Sequence, residues 1–147
     1  MNELVINGFL NYDDDDLVGV SETKNPKLRW KEVKSILELL KNEFGYKEYD
    51  GEYYLGGTKI LVPDVSMRIY YTDEKCTLEE AESALLDKMY GALTVEASLT
   101  GYSEYTIIGL EITTFTLGNH DIITELESNI GKYCWIIIEE CDYEEIY

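Results

Sequence analysis

The fold of this chain is decided by an alternating stretch, LTVEASLT, at positions 93–100. Apolar and polar residues take turns along it, which is the period-2 pattern of a strand with one face buried and the other in water. After a turn at 101–103, a longer strand is predicted from Glu104 to Leu117. The two strands are predicted to pair as an antiparallel hairpin.

Predicted helices flank this hairpin on both sides. On the N-terminal side, Thr77 and Glu80 form a capping-box pattern, and the helix that they open is predicted to end at Gly91. On the C-terminal side, Asn119 is the predicted N-cap of a helix that ends at Gly131.

Two further strands enclose the helices and complete the pattern. One is predicted at Val65–Tyr71 and the other at Tyr133–Glu139, where WIII at 135–138 is an apolar run typical of a strand buried within a sheet. The order strand, helix, strand, strand, helix, strand over residues 65–140 is the ferredoxin-like βαββαβ order. The predicted fold class is therefore α+β, an antiparallel sheet with helices packed on one face.

The N-terminal part of the chain is predicted to be a βα-hairpin extension of that unit. A strand is expected at Leu4–Leu10, followed by a long helix that has Asn25 as its N-cap and ends at Gly45. Short strands are then expected at Lys47–Tyr49, Glu52–Leu55 and Thr58–Val62. Pro63-Asp64 separates the last of these from the strand that begins at Val65, because proline does not fit the middle of a central ladder.

Length and composition predict one soluble, cytoplasmic domain. A chain of 147 residues lies near the commonest domain size. Within it we distinguish a strand-helix-hairpin part at 1–64 and a ferredoxin-like part with an acidic tail at 65–147. The first residues lack the basic and apolar regions of a secretion signal, and no apolar run is long enough to span a membrane.

Charge is the strongest functional signal in the sequence. Thirty Asp and Glu accompany twelve Lys and Arg, which gives a formal net charge of -18, and from Cys76 onwards the bases are Lys88 and Lys132. Such a surface repels nucleic acid and anionic lipid, and it attracts proteins whose own surfaces are basic. Solubility alone is the competing interpretation of so much acid.

No catalytic or cofactor motif accompanies the charge, so we expect a non-enzymatic protein without a cofactor or a dedicated metal site. The single histidine, His120, has no assignable nucleophile, and phosphate-binding glycine motifs are absent from the sequence. Cys76, Cys134 and Cys141 lack CxxC spacing and are predicted to be reduced thiols. The run Asp13–Asp16 fails the EF-hand pattern, which leaves open weak, nonspecific cation binding.

These observations favour an acidic binding protein that imitates the charge of DNA or RNA and thereby blocks a basic nucleic-acid-binding partner. In size and charge the chain resembles the small acidic proteins with which phages and mobile elements block restriction enzymes or CRISPR nucleases. The predicted partner contacts lie on two helices, in the tail and in the aspartate run: Glu79, Glu82, Asp87, Asp121, Glu125, Asp142, Tyr143, Glu144, Glu145, Asp13, Asp14, Asp15 and Asp16.

Two alternative functions stay open. An immunity protein that neutralises a nuclease toxin would use the same combination of acidic patch and tyrosine anchor. A structural or assembly subunit would instead oligomerise through an exposed sheet face, for which the expected residues are Arg68, Tyr70, Glu96 and Glu111.

Overall fold

The computed structural model describes residues 2–12, 18–49, 56–82, 88–100 and 109–141. The strands of this part are β1 (Glu3–Tyr12), β2 (Val18–Ser21), β3 (Lys34–Ser35), β4 (Lys47–Tyr49), β5 (Gly56–Thr72), β6 (Met89–Thr100), β7 (Gly109–Leu117), β8 (His120–Asp121) and β9 (Tyr133–Glu140). The helices are α1 (Arg29–Glu32), α2 (Ile36–Phe44), α3 (Leu78–Glu82) and α4 (Ile122–Glu127). The predicted strand Glu52–Leu55 and the predicted turn at 101–103 lie outside the described residues.

The strands form one antiparallel sheet in the order β3-β2-β1-β9-β5-β6-β7-β8. β5 is 17 residues long, and β6 pairs along one of its edges. The other edge is shared, because β4 pairs with β5 at 57–59 and β9 pairs with it at 65–72. As predicted from its apolar run, β9 lies inside the sheet, between β1 and β5.

β5 corrects one prediction made from the sequence. Two strands separated by Pro63-Asp64 were expected, but the chain forms a single strand with a register shift between Val62 and Val65. A bulge accommodates a proline, which has no N–H to donate, without ending the ladder.

The ferredoxin-like order is not confirmed. A split βαβ unit requires the strands on either side of its helix to be parallel, with another strand between them. Here β5 and β6 are adjacent and antiparallel, and β9 returns to pair with the other edge of β5. Apart from the two-residue strand β8, the strands from β5 to β9 therefore lie in the spatial order β9-β5-β6-β7, which is the order of a Greek key. The coarser prediction is confirmed, since the protein is an antiparallel sheet with a few helices.

One face of the sheet, the core face, is covered by α2 and α4. Met67, Leu93 and Ile138 from the strands belong to the same apolar cluster as Leu40 of α2 and Leu126 of α4, and each is at most 1% exposed. Complete burial of one such side chain stabilises the fold by about 1.5–3 kcal/mol. This face supplies most of the core.

α3 packs on the opposite face, so the prediction that all helices share one face was wrong. Ala81 of α3 clusters with Tyr70 and Ile137, whose side chains alternate with those of the core face. Trp135 joins them, and its indole N–H donates to the carbonyl oxygen of Cys76 at 3.0 Å. β5 and β9 carry apolar residues on both faces here, and α3 shields those of the second face from water.

The long N-terminal helix is also interrupted, contrary to the prediction. Instead of one helix from Asn25 to Gly45, the chain forms α1, the short strand β3 and then α2. β3 pairs with β2 where Gly19 lets the backbones approach, because a Cβ on Gly19 would lie 2.5 Å from the carbonyl oxygen of Lys34. Gly45 does end α2 as predicted, with φ of 77° and its N–H donating to the carbonyl oxygen of Lys41 at 2.9 Å.

Candidate functional site

The predicted contacts on α4 are Asp121 and Glu125. Asp121, not Asn119, is the N-cap: Oδ1 accepts from the N–H of Thr124 at 3.2 Å, and Oδ2 accepts from its hydroxyl at 2.8 Å. These hydrogen bonds lower the pKa of Asp121, because they favour the charged carboxylate. The hydroxyl of Tyr71 donates to the Glu125 backbone oxygen at 3.5 Å, and burial, reinforced by the Glu125 charge, raises the Tyr71 pKa.

The predicted contacts on α3 are Glu79 and Glu82. The capping box that opens this helix is confirmed, because Thr77 and Glu80 exchange hydrogen bonds of 3.3 Å with each other's backbone N–H. The helix was expected to reach Gly91, but Met89 already belongs to β6. Glu82 forms an ion pair with Arg68 at 3.7 Å, whereas Glu79 is exposed.

The two helices do not share one acidic row. α3 covers the face that carries Tyr70 and Ile137, whereas Ile122 and Leu126 attach α4 to the core face. The acids of the two helices therefore lie on opposite sides of the sheet. The other predicted contacts lie outside the described residues: Asp13, Asp14, Asp15, Asp16, Asp87, Asp142, Tyr143, Glu144 and Glu145.

Five acidic residues that were not among the predicted contacts lie at one end of the sheet: Glu3, Glu43, Asp64, Glu139 and Glu140. We call this group the acidic end.

Backbone contacts join these residues. The N–H of Glu140 donates to the carbonyl oxygen of Asn2 at 2.9 Å, and the Asn2 side chain donates to the carbonyl oxygen of Glu43 at 3.0 Å. The N–H of Cys141 donates to the carbonyl oxygen of Asp64 at 2.8 Å. The sequence then continues from Cys141 into the predicted acidic tail.

Like charges face each other in the acidic end. Glu3 and Glu139 are direct partners across β1 and β9, which sets their Cα atoms about 5 Å apart. Two glutamates directly opposite each other destabilise a strand pair. Arg68 offsets part of this repulsion, since its Nη2 lies 3.8 Å from Glu139 and its Nη1 lies 3.7 Å from Glu82.

No signal in the sequence marks these five residues as a group, because their proximity depends on strand register. Glu3 and Glu139 belong to the first and last described strands of the chain. The run Glu139-Glu140 was visible as the start of the acidic tail, but its position beside Glu3 and Asp64 required the pairing of β9 with both β1 and β5.

The four residues expected to form an exposed assembly surface differ in their exposure and in their contacts. Arg68, Tyr70 and Glu96 do lie on the face opposite the core face. Tyr70, however, is buried at 7% exposure beneath α3, and Glu96 pairs with Lys59 at 3.1 Å. The Glu111 side chain is outside the described part.

Other reactive groups are dispersed. Within the described ranges no group of three or more His, Cys, Asp or Glu side chains is arranged to hold a metal ion. Cys76, Cys134 and Cys141 are free thiols, and burial raises the pKa of Cys134 to about 12. A buried thiol of this kind packs as a small apolar group.

Among the described helices, none has the length and apolar character needed to cross a bilayer. Comparison of the chain with protein-family models, with curated proteins and with solved structures gave no match.

Proposed function

We propose that this chain is an acidic, non-enzymatic binding protein whose acidic end occupies the nucleic-acid site of a basic partner. The setting we propose is inhibition of host defence by a phage or mobile element, with a restriction or CRISPR enzyme as the type of partner. The observation that carries the proposal is the convergence of β1, the end of α2, the β5 bulge and the end of β9, each of which contributes an acidic residue at one end of the sheet.

The sheet supports this function by fixing the positions of its charges. Glu3 and Glu139 are held by the ladders on β1 and β9, so less conformational freedom is lost on binding than with acids on a free segment. The net charge of -18 adds long-range attraction toward a basic groove and thereby speeds association.

Arg68 extends the acidic end along the α3 face. The Arg68 guanidinium lies between the carboxylates of Glu82 and Glu139 and contacts both. The pairs are partly exposed and long, so they contribute little stability. They place Glu82 and Glu139 near one another on the α3 face, where both carboxylates extend the acidic surface available to a basic partner.

The test compares two double variants that change the net charge equally. Glu3→Lys with Glu140→Lys alters the acidic end, whereas Glu125→Lys with Glu127→Lys alters α4 on the core-face side. Each protein is used as bait in a bacterial lysate at low and high salt. Retained nucleic-acid-binding proteins are then assayed for release of DNA on a mobility-shift gel.

We expect the wild type and the α4 variant to retain the same basic partner at low salt and to lose it at high salt. The acidic-end variant should bind at least about tenfold more weakly, which corresponds to about 1.4 kcal/mol. If the two variants bound the partner equally well, the acidic end would not be part of the binding interface. A partner that keeps its DNA in the presence of excess chain would rule out charge imitation.

A further inference from the structure

A small groove lies away from the acidic end, on the sheet face that carries α3. It has a volume of about 190 Å³ and is bounded by β1, β3, the start of β9 and the segment before α3. Tyr133 begins β9 whereas Glu140 ends it, so about 20 Å of strand separates the groove from the acidic end. The two sites are therefore distinct.

A tyrosine hydroxyl contributes a hydrogen-bond donor at this groove. The Asn7 side chain donates to the Tyr133 hydroxyl at 3.0 Å, and both residues line the groove. Tyr133 is only 2% exposed. Since its oxygen is the acceptor of that bond, its own proton is left to donate into the groove. A ligand oxygen in the groove would accept that hydrogen bond.

Two lysines from separate elements supply positive charge to the same groove. Lys34 lies on β3 and Lys75 precedes α3, and both residues line the groove. Neither forms an ion pair with a carboxylate in the described residues, whereas Lys59 and Arg68 do. Two free ammonium groups and a phenolic O–H are donors suited to an oxyanion.

Two glutamates limit the size of the anion. Glu22 and Glu32 also line the groove, and they would repel a chain of phosphates. One oxygen of Glu32 is already used, because Oε2 accepts from the N–H of Leu28 at 2.9 Å. At about 190 Å³ the groove is below the range of roughly 300–1,000 Å³ for pockets that hold drug-sized ligands.

We propose that this groove binds a small molecule carrying a single phosphate group, with Lys34, Lys75 and Tyr133 as its donors. A phosphate monoester carries a charge of about -1.5 to -2 at pH 7, so both ammonium groups are needed to hold it against the repulsion of Glu22 and Glu32. The site goes beyond the proposed function, since a decoy for nucleic acid needs no small-molecule ligand.

The experiment is a titration of the isotope-labelled protein with inorganic phosphate at constant ionic strength, followed by NMR. Saturable shifts are expected for the amides of Gly8, Lys34 and Lys75. Lys34→Gln and Lys75→Gln should each weaken binding about tenfold, the usual effect of losing a hydrogen bond to a charged group. Lys88→Gln removes the same charge from an exposed site at the start of β6 and should leave the affinity unchanged.

Shifts that grow linearly without saturating would overturn the site, and so would equal affinities in the wild type and the two groove variants. Tyr133→Phe should weaken phosphate binding several-fold while leaving the lysine contacts in place. If Tyr133→Phe fails to fold, the phosphate affinities of Lys34→Gln and Lys75→Gln still test the site, because both lysines are exposed. Partner capture through the acidic end is measured separately, so failure of either proposal leaves the other standing.

Discussion

At the scale of single residues, α3 has a side-chain hydrogen bond that caps its N-terminus, whereas α2 has none. Thr77 Oγ1 accepts from the N–H of Glu80 at 3.3 Å, and Glu80 Oε1 accepts from the N–H of Thr77 at 3.3 Å and from its hydroxyl at 3.0 Å. Thr77→Ala removes this reciprocal cap. We expect it to lower the free energy of unfolding by about 1 kcal/mol, measured by urea denaturation.

Ser35 provides the matched control. It precedes α2 but makes no side-chain capping bond, and its Oγ is buried without a partner in the described part of the chain. Ser35→Ala is expected to leave the free energy of unfolding unchanged or to raise it, because no hydrogen bond is lost with the hydroxyl. Equal losses in the two variants would contradict the capping assignment.

At the scale of elements, the pairing of β2 with β3 depends on close approach at Gly19. A Cβ there would lie 2.5 Å from the Lys34 carbonyl oxygen and 2.6 Å from Val33 Cγ1. Gly19→Ala should therefore cost about 1–3 kcal/mol, typical of overpacking. It should also speed amide hydrogen exchange in β2 and β3.

Gly45→Ala separates this contact from backbone strain. A Cβ on Gly45 would meet nothing within 4 Å, but φ is 77°. The variant should lose about 1–3 kcal/mol, the cost to alanine of a conformation with positive φ and extended ψ, while β2 and β3 keep their exchange protection. If Gly19→Ala were as stable as the wild type, with unchanged exchange, β3 would be a wrong assignment and the continuous helix would regain support.

The same elements show how far the sequence could predict the protein. The capping box at Thr77 and the helix end at Gly45 were predicted, because their hydrogen bonds join residues three or four positions apart. The continuous N-terminal helix was not borne out, because β3 pairs with β2 instead. The acidic end escaped prediction for a similar reason, since the position of Glu3 opposite Glu139 is a property of register.

At the scale of the whole molecule, the net charge of -18 affects stability as well as binding. Like charges on a compact surface repel, and salt screens them with a Debye length of about 8 Å at physiological ionic strength. The urea midpoint of unfolding is expected to rise as sodium chloride is added. The variant Glu125→Lys with Glu127→Lys carries less net charge and should respond less steeply. If the urea midpoints of both proteins did not change with sodium chloride concentration, repulsion between like charges would not limit stability.

The position of β9 also governs how the chain folds during synthesis. β9 is the neighbour of both β1 and β5, and the Asn7 side chain bonds Tyr133 from 126 positions away. Pairing between such distant segments is slow, and it requires the chain to have left the ribosome as far as β9. Until then β1 and β5 each present an unpaired edge to other nascent chains. Pairing of β9 is thus the step that joins β1 and β5 into one continuous sheet and covers both of these edges.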